Sequence, residues 1–152
     1  MDLNDLTEGK ADQQKRLPGL SAISQRTLLY VEDNLANLVL VEQLIARRSD
    51  LKVVTAVNAD SGIQLAKNLR PDVILMDINL PGMSGYGALA ILQEDPLTAH
   101  IPVMALSANA LQNDIAKGLE AGFFRYLTKP IKVNEFMDSL DVALQFATEN
   151  QL

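Results

Sequence analysis

Five short apolar runs, each closed by polar residues and separated from the next by a stretch of helical period, constrain this chain more than any other feature. The runs occupy 27–31, 51–57, 73–76, 101–106 and 123–127. Several are continuously apolar rather than alternating, as in strands covered on both faces of a parallel sheet. The segments at about 34–48, 59–69, 84–94, 108–120 and 132–148 carry a helical period. In the last of these, Val133, Phe136, Met137, Leu140, Leu144 and Ala147 form one apolar stripe. Gly122 stands where a helix C-cap would lead into the fifth run. Such alternation predicts an α/β fold, a doubly wound sheet of five parallel strands with five helices.

The first 25 residues lack this regularity: they are polar, carry charges of both signs and contain Pro18-Gly19. They read as a linker or disordered arm (1–25), followed by one domain (26–148) and a short tail (149–152). A length of 152 residues suits that division. Thirteen basic against nineteen acidic side chains give a net charge of −6. A phosphate backbone would be repelled, so no nucleic-acid partner is expected. The absence of Cys excludes disulfide scaffolds, thiolate zinc sites and cysteine nucleophiles. A single His, His100, leaves histidine metal sites and Ser-His-Asp triads almost nothing to work with. No apolar run approaches the roughly 20 residues needed to span a bilayer. Asp2, Asp5 and Glu8 stand where a secretory signal would be basic, so a cytoplasmic protein without direct membrane insertion is expected.

Chemistry must then rest on carboxylates, hydroxyls and Lys. In doubly wound sheets ligands bind beyond the carboxyl ends of the strands. The first run ends in Glu32-Asp33-Asn34, the third in Asp77, the fourth in Ser107 and the fifth in Thr128-Lys129-Pro130. The second ends in Asn58 and offers nothing obvious, consistent with an edge strand. Three carboxylates sharing a cleft repel one another by about 4 kcal/mol per pair at 4 Å and an effective dielectric near 20. Proton uptake by one of them, or capture of a divalent cation, would relieve this. A donor set without His or Cys suits Mg²⁺. With Lys129 and a hydroxyl alongside, the set is equipped to hold a phosphoryl group.

The segments Leu29-Tyr30-Val31-Glu32-Asp33-Asn34, Val73 to Pro81, Ala105-Leu106-Ser107-Ala108 and Tyr126-Leu127-Thr128-Lys129-Pro130 resemble the marker segments of CheY-like response-regulator receiver domains. The resemblance spans roughly residues 26–148. It implies a flavodoxin-like sheet of order 2-1-3-4-5. It also implies a phosphoacceptor signalling domain rather than an enzyme, active only in its own phosphotransfer and dephosphorylation. Asp77 would be the nucleophile toward phosphohistidine on a histidine kinase or histidine-phosphotransfer protein. Asp33, Asp77 and the carbonyl of Asn79 would ligate Mg²⁺, with Glu32 holding a water on the ion. Lys129 and Ser107 would contact the phosphoryl oxygens, and Ala108 would keep access open. Lys129-Pro130 is expected to be cis. Ser107 and Tyr126 would form the switch: Ser107 moves to the phosphoryl group and Tyr126 fills the vacated space from a more exposed rotamer. The fourth helix, fifth strand and fifth helix would then present a changed surface, through which a homodimer would form. The segments 105–110 and 117–122 further resemble receivers attached to hybrid sensor histidine kinases, a stand-alone regulator being the other context. Asn79 and Asn109 occupy the places that influence phosphoryl lifetime in that family.

Blander readings stand beside these. Glu32 and Asp33 would be only a capping pair, with Asp33 or Asn34 capping the next helix, Ser107 a helix cap, Tyr126 a packed strand residue, His100 a surface residue, and Met104 and Met137 core filler. Ser84 departs from an acidic residue frequent in the family. On the first helix, Leu38, Val41, Leu44 and Ile45 make the inward stripe, while Leu35 and Val39 fall on another face near the Asp77 mouth. They read as a docking patch for a phosphotransfer helix bundle, the competing occupant being the N-terminal arm. Val142 and Phe146 likewise lie off the last helix's main stripe, toward the arm or a second copy. An Asp-nucleophile phosphatase of the haloacid-dehalogenase type would need a second Asp two residues after Asp77, where Asn79 stands. A nucleotide switch would need GxxxxGK[ST], which is missing. A receiver fold kept only as a protein-interaction module, without phosphorylation, is the other alternative.

Overall fold

The computed structural model describes residues 24–150. Strands β1 (Arg26–Val31), β2 (Leu51–Ala56), β3 (Val73–Asp77), β4 (Val103–Ser107) and β5 (Arg125–Thr128) alternate with helices α1 (Leu35–Ala46), α2 (Ala59–Leu69), α3 (Gly85–Glu94), α4 (Gln112–Ala121) and α5 (Val133–Glu149). The strands form one sheet in the order β2-β1-β3-β4-β5, and every neighbouring pair is parallel. This is the flavodoxin-like arrangement expected from the sequence, with β2 at an edge.

Alternate strand residues serve two cores. Leu28, Tyr30, Leu75, Met104, Leu106 and Leu127 pack under α1 and α5, where the stripe Leu38, Val41, Leu44 and Ile45 meets Phe136, Leu140 and Leu144. Leu29, Val31, Ile74, Met76 and Ala105 pack under α2 and α3 through Ile63, Ala66, Leu89 and Leu92. Met104 and Met137 take part in the first core, in keeping with their reading as filler. Helix α4 differs from the others in that its one buried residue is Gly118; like α5, it has no side-chain cap at its N-terminus. Gly122 closes it with φ 117°, a left-handed conformation that glycine adopts without steric cost.

Element boundaries depart from the sequence reading in several places. The fourth strand begins at Val103 rather than 101, after Pro102, and the fifth at Arg125 rather than 123. Helix α4 begins at Gln112 rather than 108, because Asn109 N–H is taken by Ser107 Oγ (3.0 Å) and the backbone turns there. Helix α5 runs through Glu149, one residue into the span assigned to the tail. The arm up to position 23 and the last two residues, 151–152, lie outside the described residues. At the arm's end, Gln25 Nε2 donates to the carbonyls of Ser49 (3.4 Å) and Leu51 (3.3 Å).

The beginning of β1 and the end of α5 share the rim at the strands' amino ends. Arg26 pairs with Asp72 (3.5 Å), Asp72 and Ala147 line one hollow with His100, and Asn150 lies beside the segment leading into β4. Among the described residues no helix is long and apolar enough to cross a membrane.

Candidate functional site

The other rim carries the polar strand ends. The register sets Glu32 level with Asp77, because Val31 pairs with Met76, and Asp77 in turn pairs with Leu106. The ladder runs on past β5, where Lys129 N–H donates to Ser107 O (2.8 Å). Four strand ends thus deliver Glu32, Asp33, Asp77, Ser107 and Lys129 to one side of the sheet.

Asp77 is buried, and both of its oxygens are engaged. Oδ1 accepts from Asn79 N–H (2.9 Å) and Oδ2 from Lys129 Nζ (3.0 Å). The Lys129-Pro130 peptide is cis, as expected. Glu32 is fully buried and collects Tyr30 Oη (2.8 Å) and Asn37 Nδ2 (3.4 Å) on Oε1 and Asn34 N–H (3.2 Å) on Oε2; Lys129 Nζ lies 3.5 Å from Oε1. Asp33 is exposed, yet a ligand atom from each of Glu32, Asp33 and Asp77 lies within 4.8 Å of the other two. Asn34, and neither Glu32 nor Asp33, caps α1, its Oδ1 accepting from Asn37 N–H (3.0 Å). That leaves the two carboxylates free of the capping role weighed for them.

Charge is unevenly balanced at this rim. Burial raises the Glu32 pKa above the ordinary carboxylate value, and the neighbouring Asp77 adds to the rise against the opposing effects of Tyr30 and Lys129. Burial also works against the charge on Lys129, but its bonds to Asp77 and Glu32 outweigh that and hold its pKa above the usual lysine value. A Glu whose folded pKa is raised lends stability below its unfolded pKa and loses it as pH climbs through the folded value. The Lys129 contribution persists until far more alkaline pH. The metal-free domain is therefore expected to lose stability from mildly acidic to neutral pH, and a Glu32→Gln variant to lose less. Urea titrations across that window check this; a wild-type stability that rises with pH relative to the variant contradicts it.

Ser107 is buried one position beyond the Leu106 that pairs with Asp77, and its Oγ accepts from Asn109 N–H. It stabilises a turn rather than the first turn of α4. Tyr126 is half-buried, and its hydroxyl donates to Asn109 O (2.9 Å). Asn79 is exposed beside Asp77. Ser84 caps α3 through Gly87 N–H (3.3 Å). Leu35 and Val39 are 73% and 41% exposed on α1, away from its buried stripe. His100 is exposed at the opposite rim, and Phe146 packs on Phe124 with ring centroids 5.0 Å apart. Tyr30 and Asn37 were not singled out by sequence. The spacing of Tyr30 two residues before Glu32 on a strand, hence on the same face, was the available signal.

A family model described as the response regulator receiver domain matches residues 28–141. The chain belongs to this family. Receiver domains are signalling modules of two-component systems, and several relatives fit that reading. The chain is 36% identical over 115 residues to the polar-differentiation response regulator DivK of Brucella anthropi, covering 76% of this chain and 93% of DivK. It is 38% identical over 104 residues to the response regulator PleD of Caulobacter vibrioides and 36% over 118 residues to the nitrate/nitrite regulator NarL of Escherichia coli. These alignments span 68% and 77% of this chain but only 23% of PleD and 54% of NarL. Among solved structures, the receiver domain of a Pseudomonas aeruginosa sensor histidine kinase superposes with a TM-score of 0.71 at 30% identity, covering 82% of this chain and 99% of the other. That structure is described as holding a magnesium ion in its active site cleft. A CheY-like receiver from Methanospirillum hungatei, at 23% identity and a TM-score of 0.74, shares the fold, with 83% and 98% of the two chains covered.

Proposed function

We propose that this receiver domain takes a phosphoryl group from phosphohistidine onto Asp77 with Mg²⁺, as one step of a two-component phosphorelay, and that its α4-β5-α5 surface responds. The observation that carries this reading is the buried Asp77 held by Lys129 Nζ at 3.0 Å, with two further carboxylates gathered within 4.8 Å. The donor chemistry fits the ion: the oxygens are hard, and the neighbouring Asp77 carboxylate adds to the rise that burial imposes on the Glu32 pKa. Asp33, Asp77 and the carbonyl of Asn79 would hold Mg²⁺, with Glu32 acting through water. When bound, the ion neutralises carboxylate charge and polarises the phosphoryl oxygens.

The chain's own residues do the rest. Asn79 N–H and Lys129 fix the Asp77 carboxylate in place. Its oxygen attacks phosphorus, the P–N bond breaks, and the imidazole nitrogen keeps the electron pair. Lys129 shifts from the carboxylate to a phosphoryl oxygen, and Ser107 releases Asn109 N–H to donate to another. Attack of water on the acyl phosphate later returns carboxylate and inorganic phosphate. Tyr126, tied to the same Asn109, carries the change toward α4 and β5.

The module spans 26–148 in this reading, the arm being an interdomain linker of the hybrid-kinase kind and the α4-β5-α5 face a dimer surface. Incubation of the full chain with acetyl phosphate and Mg²⁺ should add one phosphoryl group, mapped to Asp77 by intact mass and borohydride trapping. Asp77→Asn should take up none. Label on another residue, or none on the wild type, rejects the proposal; a domain that only docks partners would show that second result.

Leu35 and Val39, exposed one turn apart on α1, would seat the helix bundle of the donor. Leu35→Asp or Val39→Asp should slow transfer from a phosphohistidine protein about tenfold while leaving acetyl-phosphate labelling unchanged. Equal losses with both donors would assign the patch to folding instead.

A further inference from the structure

Helix α4 buries little against the sheet: Gly118 is its one fully buried residue, with Ile115 half-buried. The space beside that bare Cα is filled by Tyr126. A β-carbon built on Gly118 would lie 2.6 Å from Tyr126 Cδ2 and 2.9 Å from Cε2, nearer than carbon atoms approach without displacement. The seat is completed by Tyr86, whose hydroxyl lies 3.5 Å from the same point and whose ring meets Phe123 edge-on at 5.5 Å. Lys117 caps Tyr86 from α4, its Nζ 5.1 Å from the ring centroid. At its far end Tyr126 donates to Asn109 O, whose own N–H is held by Ser107 Oγ.

We infer that Gly118 is a positioning residue for the switch: the missing side chain on α4 creates the seat that Tyr126 occupies, and so sets how readily the α4-β5 surface adopts this arrangement. Methionine or leucine ends could yield to a new methyl group, but the ring is rigid and is held at both ends, by β5 and by its hydroxyl bond. Tyr126 must leave, or α4 must move away. Either adjustment disrupts the contacts Tyr126 makes with α4 and with Asn109. The inference rests on Tyr126 being the switch residue for its functional consequence, though not for the seat itself.

The test uses the full chain labelled with 3-fluorotyrosine, which gives a signal for each of Tyr30, Tyr86 and Tyr126, assigned with Tyr126→Phe. In Gly118→Ala the Tyr126 fluorine resonance should move toward its solvent-exposed position. Beryllofluoride, a phosphoryl mimic used with Mg²⁺, should bind about tenfold more weakly. Placed in a Tyr126→Ala background, Gly118→Ala should change beryllofluoride binding no further, because the clash is gone; a purely structural glycine would act equally in both backgrounds. A Tyr126 resonance unmoved by Gly118→Ala overturns the inference. A moved resonance with unchanged beryllofluoride affinity overturns the role of Tyr126 as switch and leaves the seat standing. Failure of the wild type to bind beryllofluoride rejects the phosphoacceptor reading, and the fluorine signal still decides the seat. Should Gly118→Ala not fold, Gly118→Ser combined with Tyr126→Leu takes its place: folding of the pair, where Gly118→Ser alone does not fold, supports the seat by rescue, and failure of the pair overturns it.

Discussion

Lys129→Met is expected to act in opposite directions on the two properties of the site: Mg²⁺ should bind more tightly while Asp77 accepts phosphoryl about a hundredfold more slowly. The ammonium lies 3.0 Å from Asp77 Oδ2 and 3.5 Å from Glu32 Oε1, so it competes with a cation for the same carboxylates. An ammonium and a divalent cation about 5 Å apart at an effective dielectric near 20 repel by roughly 7 kcal/mol before screening. Lys129 is 25% exposed, and solvent screens part of that, leaving about a tenfold gain in Mg²⁺ affinity as the realistic figure. Phosphoryl transfer loses a group placed to meet developing charge, an effect worth about 10²–10³ in rate. Calorimetric Mg²⁺ titration and acetyl-phosphate labelling kinetics measure the two sides. If Mg²⁺ affinity falls with the rate, Lys129 organises the carboxylates rather than competing for them, and the charge argument fails.

Phe136→Ala should produce the largest loss of stability. This ring is 1% exposed and joins α5 to the core formed by Tyr30, Leu75, Met104, Leu106 and Leu127. Truncating a buried Phe costs about 3–5 kcal/mol through lost burial and the cavity left behind. Total stabilities of single domains run to only about 5–15 kcal/mol. Denaturant unfolding should show the midpoint dropping steeply for Phe136→Ala, whereas Val142→Ala, on the exposed face of the same helix, should stay within about 0.5 kcal/mol of wild type. Comparable losses at both positions would mean that the stripe read for α5 does not describe its packing.

The fold was legible because its grammar is local. Buried parallel strands read as apolar runs, so a single acid after Met76 or a Ser after Leu106 marks a strand end without any three-dimensional information. The gathering of Glu32, Asp77 and Lys129 followed from the switch-point rule together with the resemblance. The α4 boundary was less legible, because Ala108, Ala110 and Leu111 favour a helix while a side-chain bond from Ser107 turns the chain away. The Tyr30 hydroxyl was hidden in an apolar run, where one oxygen among buried methyl groups leaves no periodic trace; burial and its bond to Glu32 push its pKa upward. Gly118 was least visible of all. Its importance lies in an atom it lacks, and only the position of a ring eight residues later shows what that vacancy accommodates.

Because β1 starts and α5 finishes at the amino-end rim while Glu32, Asp77 and Lys129 gather at the carboxyl-end rim, the ends of the described chain and the carboxylate cluster lie at opposite poles. A tether attached through residue 24 or residue 150 would lengthen, shorten or acquire cargo without shading that cluster. Geometry of this kind makes a body transplantable: a fusion at either end would leave the arrangement of those carboxylates alone.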